Sequence, residues 1–258
     1  RIPTSCTQFS FLNRVPAHHS IKLHSTSNFR SPPATAISFL LILSGDIQLN
    51  PGPVPLPSQL ILGTLNIRSL FHENRSVYID DALHSHNIDI LALSETFQHL
   101  DTTTPAQLRD VTPSGFQFIG QPRQSLSKTS HPGGGLGFLI ADRFNLKLQD
   151  LSSFSSFECL AVDVKLSRSS LRVFNIYRPP DSSVYSSPFS CFLTEFCTFL
   201  TQAATTPHEF VITGDFNIHV NDPSDSHSQQ FLSLLSSMNL HQHVSFPTHK
   251  LNNTLDLV

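Results

Sequence analysis

The sequence has no tryptophan, one methionine and few charged residues, since Asp, Glu, Lys and Arg make up only 14% of its 258 residues. Apolar residues account for 39%. This composition excludes a highly charged, disordered chain, and the length and apolar content are sufficient for a core in one large domain or two small ones. We therefore expect a globular protein over most of the length.

Long apolar runs are also absent from the sequence. A membrane helix requires about 20 apolar residues, and the run AISFLLIL (Ala36 to Leu43) is far too short to span a bilayer. It has the length of the apolar core of a signal peptide, but no start methionine precedes it and no small-residue cleavage pattern follows it. We expect no membrane association and no secretion. Because the chain begins at Arg1 and its only methionine is Met238, we expect an interior piece of a longer reading frame.

The four cysteines include no CxxC pair and no spacing typical of a zinc site. A reducing, intracellular compartment is the simpler interpretation. The alternative, zinc binding at His241 and His243, lacks further ligands at zinc-site spacing.

Composition divides the chain at about residue 58. Residues 1–30 are rich in Ser, Thr, His and Asn without periodicity, and the sequence Ser31-Pro32-Pro33 interrupts any helix. Four alternating prolines at 51, 53, 55 and 57 then favour extended backbone. We expect residues 1–58 to be a disordered N-terminal segment and residues 59–258 to form the folded domain.

Strand and helix patterns alternate through the predicted domain. LILGTLNI (Leu60 to Ile67) and IDILALSET (Ile88 to Thr96) are typical of buried strands, and an amphipathic helix over Glu73 to His86 lies between them. Further predicted strands are GFQFIG, GGLGFLIAD, CLAVDVKL (with Leu160, Val162, Val164 and Leu166 on one face), LRVFNIY and EFVITGDF, and further helices cover 188–204 and 228–240. This order predicts an α/β sandwich, in which two packed sheets are covered on the outside by helices.

Polar residues stand where the buried strands end: Asn66, Glu95, Asp215, Asn217 and Asp256. The strand ends of an open α/β core are where ligand groups are presented. Asp215 and Asn217 are two apart, so both side chains point to the same side of an extended backbone. A carboxylate and an amide placed in this way can hold a water and a phosphate oxygen together. Taken singly, each of these residues is more typical of a turn or a helix cap.

The glycine run Gly133-Gly134-Gly135-x-Gly137 permits two interpretations. A phosphate-binding loop requires a helix after its glycines, and a strand pattern follows here instead. We therefore favour close backbone packing at the start of a strand.

Six motifs taken in order resemble the endonuclease/exonuclease/phosphatase family: LNIRSL, DILALSETF, GGGLGFLIAD, FNIYRPP, VITGDFNIHV and TLDLV. Within the family they are most similar to the apurinic-type endonuclease domain of non-LTR (LINE-type) retrotransposons. The resemblance covers residues 60–258 and implies a four-layer α/β sandwich of two mixed sheets flanked by helices. It also implies a DNA endonuclease that nicks target DNA for retrotransposition by phosphodiester hydrolysis, in the nucleus or cytoplasm, with a reverse transcriptase domain in the same polyprotein.

The resemblance further implies roles for particular residues. Glu95 would bind a divalent cation, Mg²⁺ or Mn²⁺, and Asn66 would help to hold the site. Tyr177 would face the scissile phosphate. Asp215 would orient or deprotonate the attacking water, with Asn217 beside it. Hard oxygen ligands suit Mg²⁺, which neutralises charge that develops on the phosphate.

One element of the family pattern is not found. The family's last strand ends in Ser-Asp-His, and Asp256 would normally support that histidine, but the sequence ends at Val258 and none of its 14 histidines stands in. The resemblance therefore implies a C-terminally truncated domain with its last strand missing. The alternative is a catalytically inactive remnant with no enzymatic role. A third possibility is a relative acting on lipid or inositol phosphates; a secretory signal or an intact lipid-binding loop would favour it, and we find neither.

Charge does not favour attraction of the whole domain to DNA, because residues 54–258 hold 12 basic and 18 acidic side chains, a formal net charge of −6. Phosphate contacts should come from a local set, with modest and salt-sensitive affinity. The candidates for this set are Arg68, Arg75, Arg123, Lys128 and Arg178.

The stretch GDIQLNPGP (45–53) resembles the 2A-like peptide, Asp-Val/Ile-Glu-x-Asn-Pro-Gly-Pro, at which a ribosome fails to join glycine to the final proline. Gln48 replaces the usual glutamate. The residues that match the motif are Asp46, Ile47, Asn50, Pro51, Gly52 and Pro53. The alternative is an ordinary proline-rich linker, since proline restricts its own backbone and that of the preceding residue.

Overall fold

A parallel βαβ unit opens the folded domain, as the sequence predicts. Strand β2 (Leu60–Asn66) leads into helix α1 (Arg75–Ser85), which returns the chain to strand β3 (Ile90–Ser94), and β2 and β3 pair in parallel with Asn66 opposite Ser94. Both strands therefore end at the same edge of the sheet.

The computed structural model describes residues 38–42, 60–123, 133–166, 169–183, 186–249 and 252–258. The 2A-like stretch and Lys128 lie outside the described residues, so the predictions made for them stay predictions.

The described residues form ten strands, arranged in two mixed five-stranded sheets. The first sheet has the order β1 (Ser38–Ile42), β2, β3, β5 (Leu136–Ala141), β4 (Phe116–Gln121). The second has the order β10 (Asp256–Leu257), β9 (Glu209–Asp215), β8 (Ser170–Tyr177), β7 (Glu158–Lys165), β6 (Asn145–Leu148). Only β2 with β3 and β8 with β9 pair in parallel; the other neighbours are antiparallel.

Helices cover the outer faces of both sheets. Besides α1, the helices are α2 (Pro105–Val111), α3 (Phe189–Ala203) and α4 (Ser226–Ser237). The helices that the described residues form are all too short or too polar to cross a membrane. Helix α1 packs on the first sheet around Ile79 and Leu83, and α3 and α4 pack on the second through a phenylalanine cluster that includes Phe196 and Phe231. The predicted four-layer α/β sandwich is confirmed.

The central core lies between the two sheets and changes character along the strands. Leu62, Ile90, Val162 and Val173 belong to its apolar part, as the alternation in β7 predicts. Towards the carboxyl ends of the parallel strands, polar residues take over on the same inward face, and Thr64, Ser94, Asn175 and Thr213 are all buried there. A layer of buried polar side chains therefore lies beneath the carboxyl ends of the parallel strands.

Asn175 connects the two sheets beneath this edge. Its side chain is fully buried, and Nδ2 donates to the carbonyl oxygens of Leu93 (2.9 Å) and Gly137 (3.1 Å) in the first sheet. Because Asn175 lies two residues before the end of β8, the contact fixes that end of β8 against β3. Asn175 was not among the residues predicted from the sequence, although an asparagine inside a buried strand indicates such a cross-link.

Strand β1 differs from the expectation of a disordered segment over residues 1–58. Residues Ser38–Ile42 pair antiparallel with β2, from Ser38 opposite Thr64 to Ile42 opposite Leu60. The prediction was wrong for these five residues, because an apolar run satisfies the unpaired backbone groups of an otherwise open sheet edge.

Two short elements, α2 and β6, were also not predicted. Helix α2 buries no residue, so it lacks the hydrophobic periodicity that reveals a helix. The start of the helix nevertheless has a sequence signature, a capping box. Thr104 and Gln107 hydrogen-bond reciprocally, and Pro105 follows the cap. Strand β6 is a largely exposed edge strand of four residues.

Gly214, the residue before Asp215, is expected to be intolerant of any side chain. Its φ is +135°, and an added Cβ would collide with the backbone of Ile176, its neighbour in β8. We expect Gly214→Ala to lower the free energy of unfolding by about 3 kcal/mol, measured by urea denaturation. Gly115→Ala is the control, because Gly115 also has a positive φ but open space around it. Equal losses in the two variants would contradict the steric argument.

Candidate active site

The amide of Asn66 joins two carboxylates that come from different sheets. Its Nδ2 donates to Glu95 Oε1 at 2.8 Å and to Asp215 Oδ2 at 2.7 Å. Asn66 ends β2, Glu95 follows β3 and Asp215 ends β9. The parallel pairs in the two sheets thus deliver their carboxyl ends to one place, and the side chains predicted at strand ends lie within hydrogen-bonding distance.

Tyr177 completes the contact between the sheets. It ends β8, opposite Asp215 in the parallel register, and its hydroxyl donates to Glu95 Oε1 at 3.1 Å. Burial and the charges of Glu95 and Asp215 raise the pKa of Tyr177 well above its usual value. The phenol therefore remains protonated and keeps a hydrogen to donate.

The backbone around Glu95 is strained. Glu95 has φ +53° and Phe97 has φ +54°, values that non-glycine residues seldom adopt. The segments after β2 and before β5 hold this conformation, because the Glu95 carbonyl accepts from Ser69 N at 2.8 Å and Thr96 N donates to Gly135 O at 3.1 Å. Strain of this kind concentrates at functional sites.

Asn217 lies beside Asp215 but is held by its own contacts. Its backbone N donates to Asp215 Oδ1 at 3.1 Å, and its Nδ2 donates to the carbonyl of Arg178 at 2.8 Å. With φ +50°, Asn217 adopts a left-handed turn that asparagine tolerates. The two oxygens of the Asp215 carboxylate are thereby held separately, Oδ1 by the backbone N–H of Asn217 and Oδ2 by the side chain of Asn66.

Asp256 lies across from Asp215 in the antiparallel register of β9 and β10. Burial, then the charge of Asp215, raises the pKa of Asp256. Burial and the charge of Glu95 raise the pKa of Asp215 to about 7, against the hydrogen bond from Asn66, which lowers it. Asp256 has no histidine partner among the residues that the structure describes.

The oxygen atoms at this site fit a divalent cation. Asn66 Oδ1 and Asp256 Oδ1 are buried acceptors without a donor, and two buried carboxylates lie close to Glu95. Within the described residues no three His, Cys, Asp or Glu side chains form a ready metal cluster. Carboxylate and amide oxygens are the kind of protein ligand that Mg²⁺ takes, usually one or two of them together with waters.

The basic residues proposed for phosphate contact differ in burial and in their ion pairs, as far as the structure describes them. Arg178 is only 2% exposed, is paired with Asp181 and donates to the carbonyls of Phe216 and Asn217, so its role is to hold the Asp215 loop. That prediction was wrong because the sequence does not reveal the surrounding phenylalanines that bury the guanidinium.

Of the remaining candidates, Arg123 is paired with the partly buried Glu158 and Arg68 is exposed. Arg68 follows Asn66 by two residues and has φ +46°. It has no hydrogen bond or ion pair with any described residue, and its charge lowers the pKa of Asp215. Arg68 is therefore the basic residue best placed to meet an anion.

The sequence profile of the Endonuclease/Exonuclease/phosphatase family matches residues 63–258, and the chain belongs to this family. No protein among the curated sequences matches it. The family agrees with the resemblance drawn from the six motifs.

Solved structures with a similar fold include two endonucleases. The endonuclease domain of TRAS1, a telomere-specific non-LTR retrotransposon, superposes with a TM-score of 0.53 at 12% identity, over 76% of this chain and 82% of that one. An AP endonuclease from Leishmania major gives a TM-score of 0.51 at 15% identity, over 69% of this chain and 66% of that one. At such identities the likeness concerns the fold alone.

Proposed function

We propose that this chain is a metal-dependent DNA endonuclease that hydrolyses phosphodiester bonds and nicks target DNA for retrotransposition. The observation that carries the proposal is the Asn66 amide, which joins Glu95 to Asp215 across the two sheets. A cation-binding carboxylate and a water-orienting carboxylate must face the same phosphate, and this hydrogen-bonded bridge sets their separation. Membership of the family and the fold shared with two endonucleases support the reaction class.

Each side chain has a distinct task in this reaction. Asp215, with a pKa raised to about 7, holds the attacking water and accepts its proton near neutral pH. Asn217 and Asn66 keep the carboxylate oriented. The single hydroxyl hydrogen of Tyr177 is donated to Glu95 Oε1 in this structure and turns to the phosphate when DNA binds. Glu95 and Asn66 would hold Mg²⁺ or Mn²⁺, which supplies positive charge to the phosphate and the leaving oxygen.

A role in retrotransposition is supported by the fold shared with the TRAS1 domain and by the six ordered motifs. It implies DNA as the substrate, an attached reverse transcriptase domain and action in the nucleus or cytoplasm. A plasmid assay tests the reaction itself: supercoiled DNA is converted to open circles in Mg²⁺, and not in EDTA.

One observation favours a second candidate, the catalytically inactive remnant. Asp256 is buried beside Asp215, and no histidine side chain contacts it in the described part of the chain. In the proposed reaction a histidine there would contact the phosphate. Nicking by the chain in Mg²⁺ would exclude the remnant, and binding of DNA without any nicking would favour it.

Arg68 is expected to contact a DNA phosphate directly. Each such contact contributes about 0.9 to the magnitude of the slope of log binding constant against log salt concentration. Arg68→Gln should therefore lower the magnitude of this slope by about 0.9, the value for one phosphate contact. Binding is measured in EDTA, where DNA stays intact, by fluorescence anisotropy at several salt concentrations. Arg109→Gln, an exposed arginine on α2, is the matched control and should leave the slope unchanged. An unchanged slope for Arg68→Gln would rule out the contact.

A further inference from the structure

Arg123 is packed against the ring of Tyr177. Its Cζ lies 5.5 Å from the ring centroid, and its Nε donates to Glu158 Oε1 at 2.6 Å. Glu158 is the cross-strand partner of Tyr177 in β7 and β8. The arginine thus lies over the tyrosine and is tied to the strand next to it.

The glycine run forms the other side of this arrangement. Gly134 has φ +72°, and a Cβ there would collide with the guanidinium of Arg123. Gly135 donates its backbone N–H to Glu158 Oε2 at 2.7 Å. Arg123 is therefore enclosed between the Tyr177 ring and the glycine backbone, and glycine suits position 134 because its φ of +72° disfavours any residue with a side chain.

The same glycines hold the segment that carries Glu95. The carbonyl of Gly135 accepts from Thr96 N at 3.1 Å, and the carbonyl of Gly134 accepts from Phe97 N at 3.0 Å. A phosphate-binding loop needs backbone N–H groups that are free to donate, and the Gly135 N–H is given to Glu158 instead. The interpretation as backbone packing therefore agrees with the geometry better than a phosphate cradle does.

We propose that Arg123 and Glu158 are positioning residues, which act with Gly134 and Gly135 as a clamp on the proposed catalytic site. The clamp fixes the ring of Tyr177 from one side and the strained Glu95 segment from the other. In this proposal Arg123 acts through Tyr177 and not on the phosphate, because its guanidinium is paired with Glu158. Its effect on the reaction rests on the proposed function, whereas its effect on the geometry of Tyr177 does not.

The pair rather than one partner is the appropriate target for a test. Removing only Arg123 would leave the partly buried Glu158 without its counter-charge, and such a variant can fail for reasons of folding alone. The double variant Arg123→Gln/Glu158→Gln removes both charges and retains hydrogen-bonding groups. Its matched control is Arg143→Gln/Asp89→Asn, since Arg143 also pairs with a buried carboxylate and lies 5.1 Å from an aromatic ring, that of Phe144.

The first readout is the ring signal of Tyr177 in ¹³C-tyrosine-labelled protein, assigned with Tyr177→Phe among the three tyrosines. We expect the clamp variant to shift or broaden this signal and the control variant to leave it in place. The second readout is plasmid nicking in Mg²⁺, for which we expect kcat to fall about a hundredfold with KM nearly unchanged, because misplacement of about 1 Å has that effect.

The two readouts separate the clamp from the proposed function. A Tyr177 signal identical to wild type in a folded clamp variant would overturn the clamp, whatever the enzyme does. A wild-type chain that fails to nick would overturn the proposed function, while a shifted Tyr177 signal would still support the clamp. Equal losses of nicking in the clamp and control variants would show that Arg123 and Glu158 only stabilise the fold and do not position the catalytic site.

Discussion

Asp215→Asn is expected to lower the rate of plasmid nicking in Mg²⁺ by about a thousandfold or more, because general-base catalysis of this kind contributes about 10²- to 10⁴-fold. Asparagine has nearly the same shape, but it cannot accept a proton from water. It also places a donor amide where the carboxylate now accepts from Asn66 and from Asn217 N. Asp215→Ala should be equally inactive, since it removes the water-orienting group altogether.

The control for this experiment is Asp163→Asn. Asp163 lies on β7 in the same sheet and pairs with Arg172 at 2.5 Å, away from Glu95 and Asn66. Its loss should reduce stability without reducing nicking in proportion. Nicking by Asp215→Ala at the wild-type rate would reject the assignment of Asp215. A folding defect is recognised by a lowered melting temperature, measured on each variant.

Glu95→Gln is expected to weaken binding of a divalent or trivalent cation by at least tenfold to a hundredfold, the loss that even outer-shell substitutions cause at metal sites. The chain has no tryptophan and three tyrosines. Because the Tyr177 hydroxyl is 3.1 Å from Glu95 Oε1, excitation of tyrosine should sensitise the luminescence of Tb³⁺ used as a probe at this site. The emission should rise on titration of Tb³⁺ into wild type and fall when Mg²⁺ displaces it.

Two variants make the cation experiment specific. Tyr177→Phe should retain binding, measured by calorimetry, while most of the sensitised emission disappears. Glu209→Gln, at the opposite end of β9, should behave as wild type, because Glu209 is exposed and distant along the strand from Asp215. Equal emission from wild type and Glu95→Gln would show that Tb³⁺ binds elsewhere.

The layered fold could be predicted because its strands and helices carry strong local patterns. The alternation of Leu160, Val162 and Val164, and the buried runs at β2 and β3, are properties of neighbouring residues and need no knowledge of the fold. Strand β1 could not be assigned in this way. Whether an apolar run pairs depends on an open sheet edge, which only the assembled sheet provides.

The candidate site could be predicted only in part for a similar reason. The strand-end positions of Asn66, Glu95 and Asp215 are visible in the sequence, but Asn66 and Asp215 are 149 residues apart, and their hydrogen bond depends on the packing of two sheets. Burial separates similar side chains as well. Arg178 and Arg68 look alike in the sequence, yet one is enclosed by phenylalanines and the other is exposed.

The central claim is that Glu95, Asn66 and Asp215 form one hydrolytic site. The most direct measurement is conversion of supercoiled plasmid to open circles by wild type and by Asp215→Asn, each in Mg²⁺ and in EDTA. We predict nicking by wild type in Mg²⁺ alone, with wild type in EDTA and both Asp215→Asn reactions at background. The absence of nicking by wild type in Mg²⁺, or the same rate from both proteins, would contradict the claim.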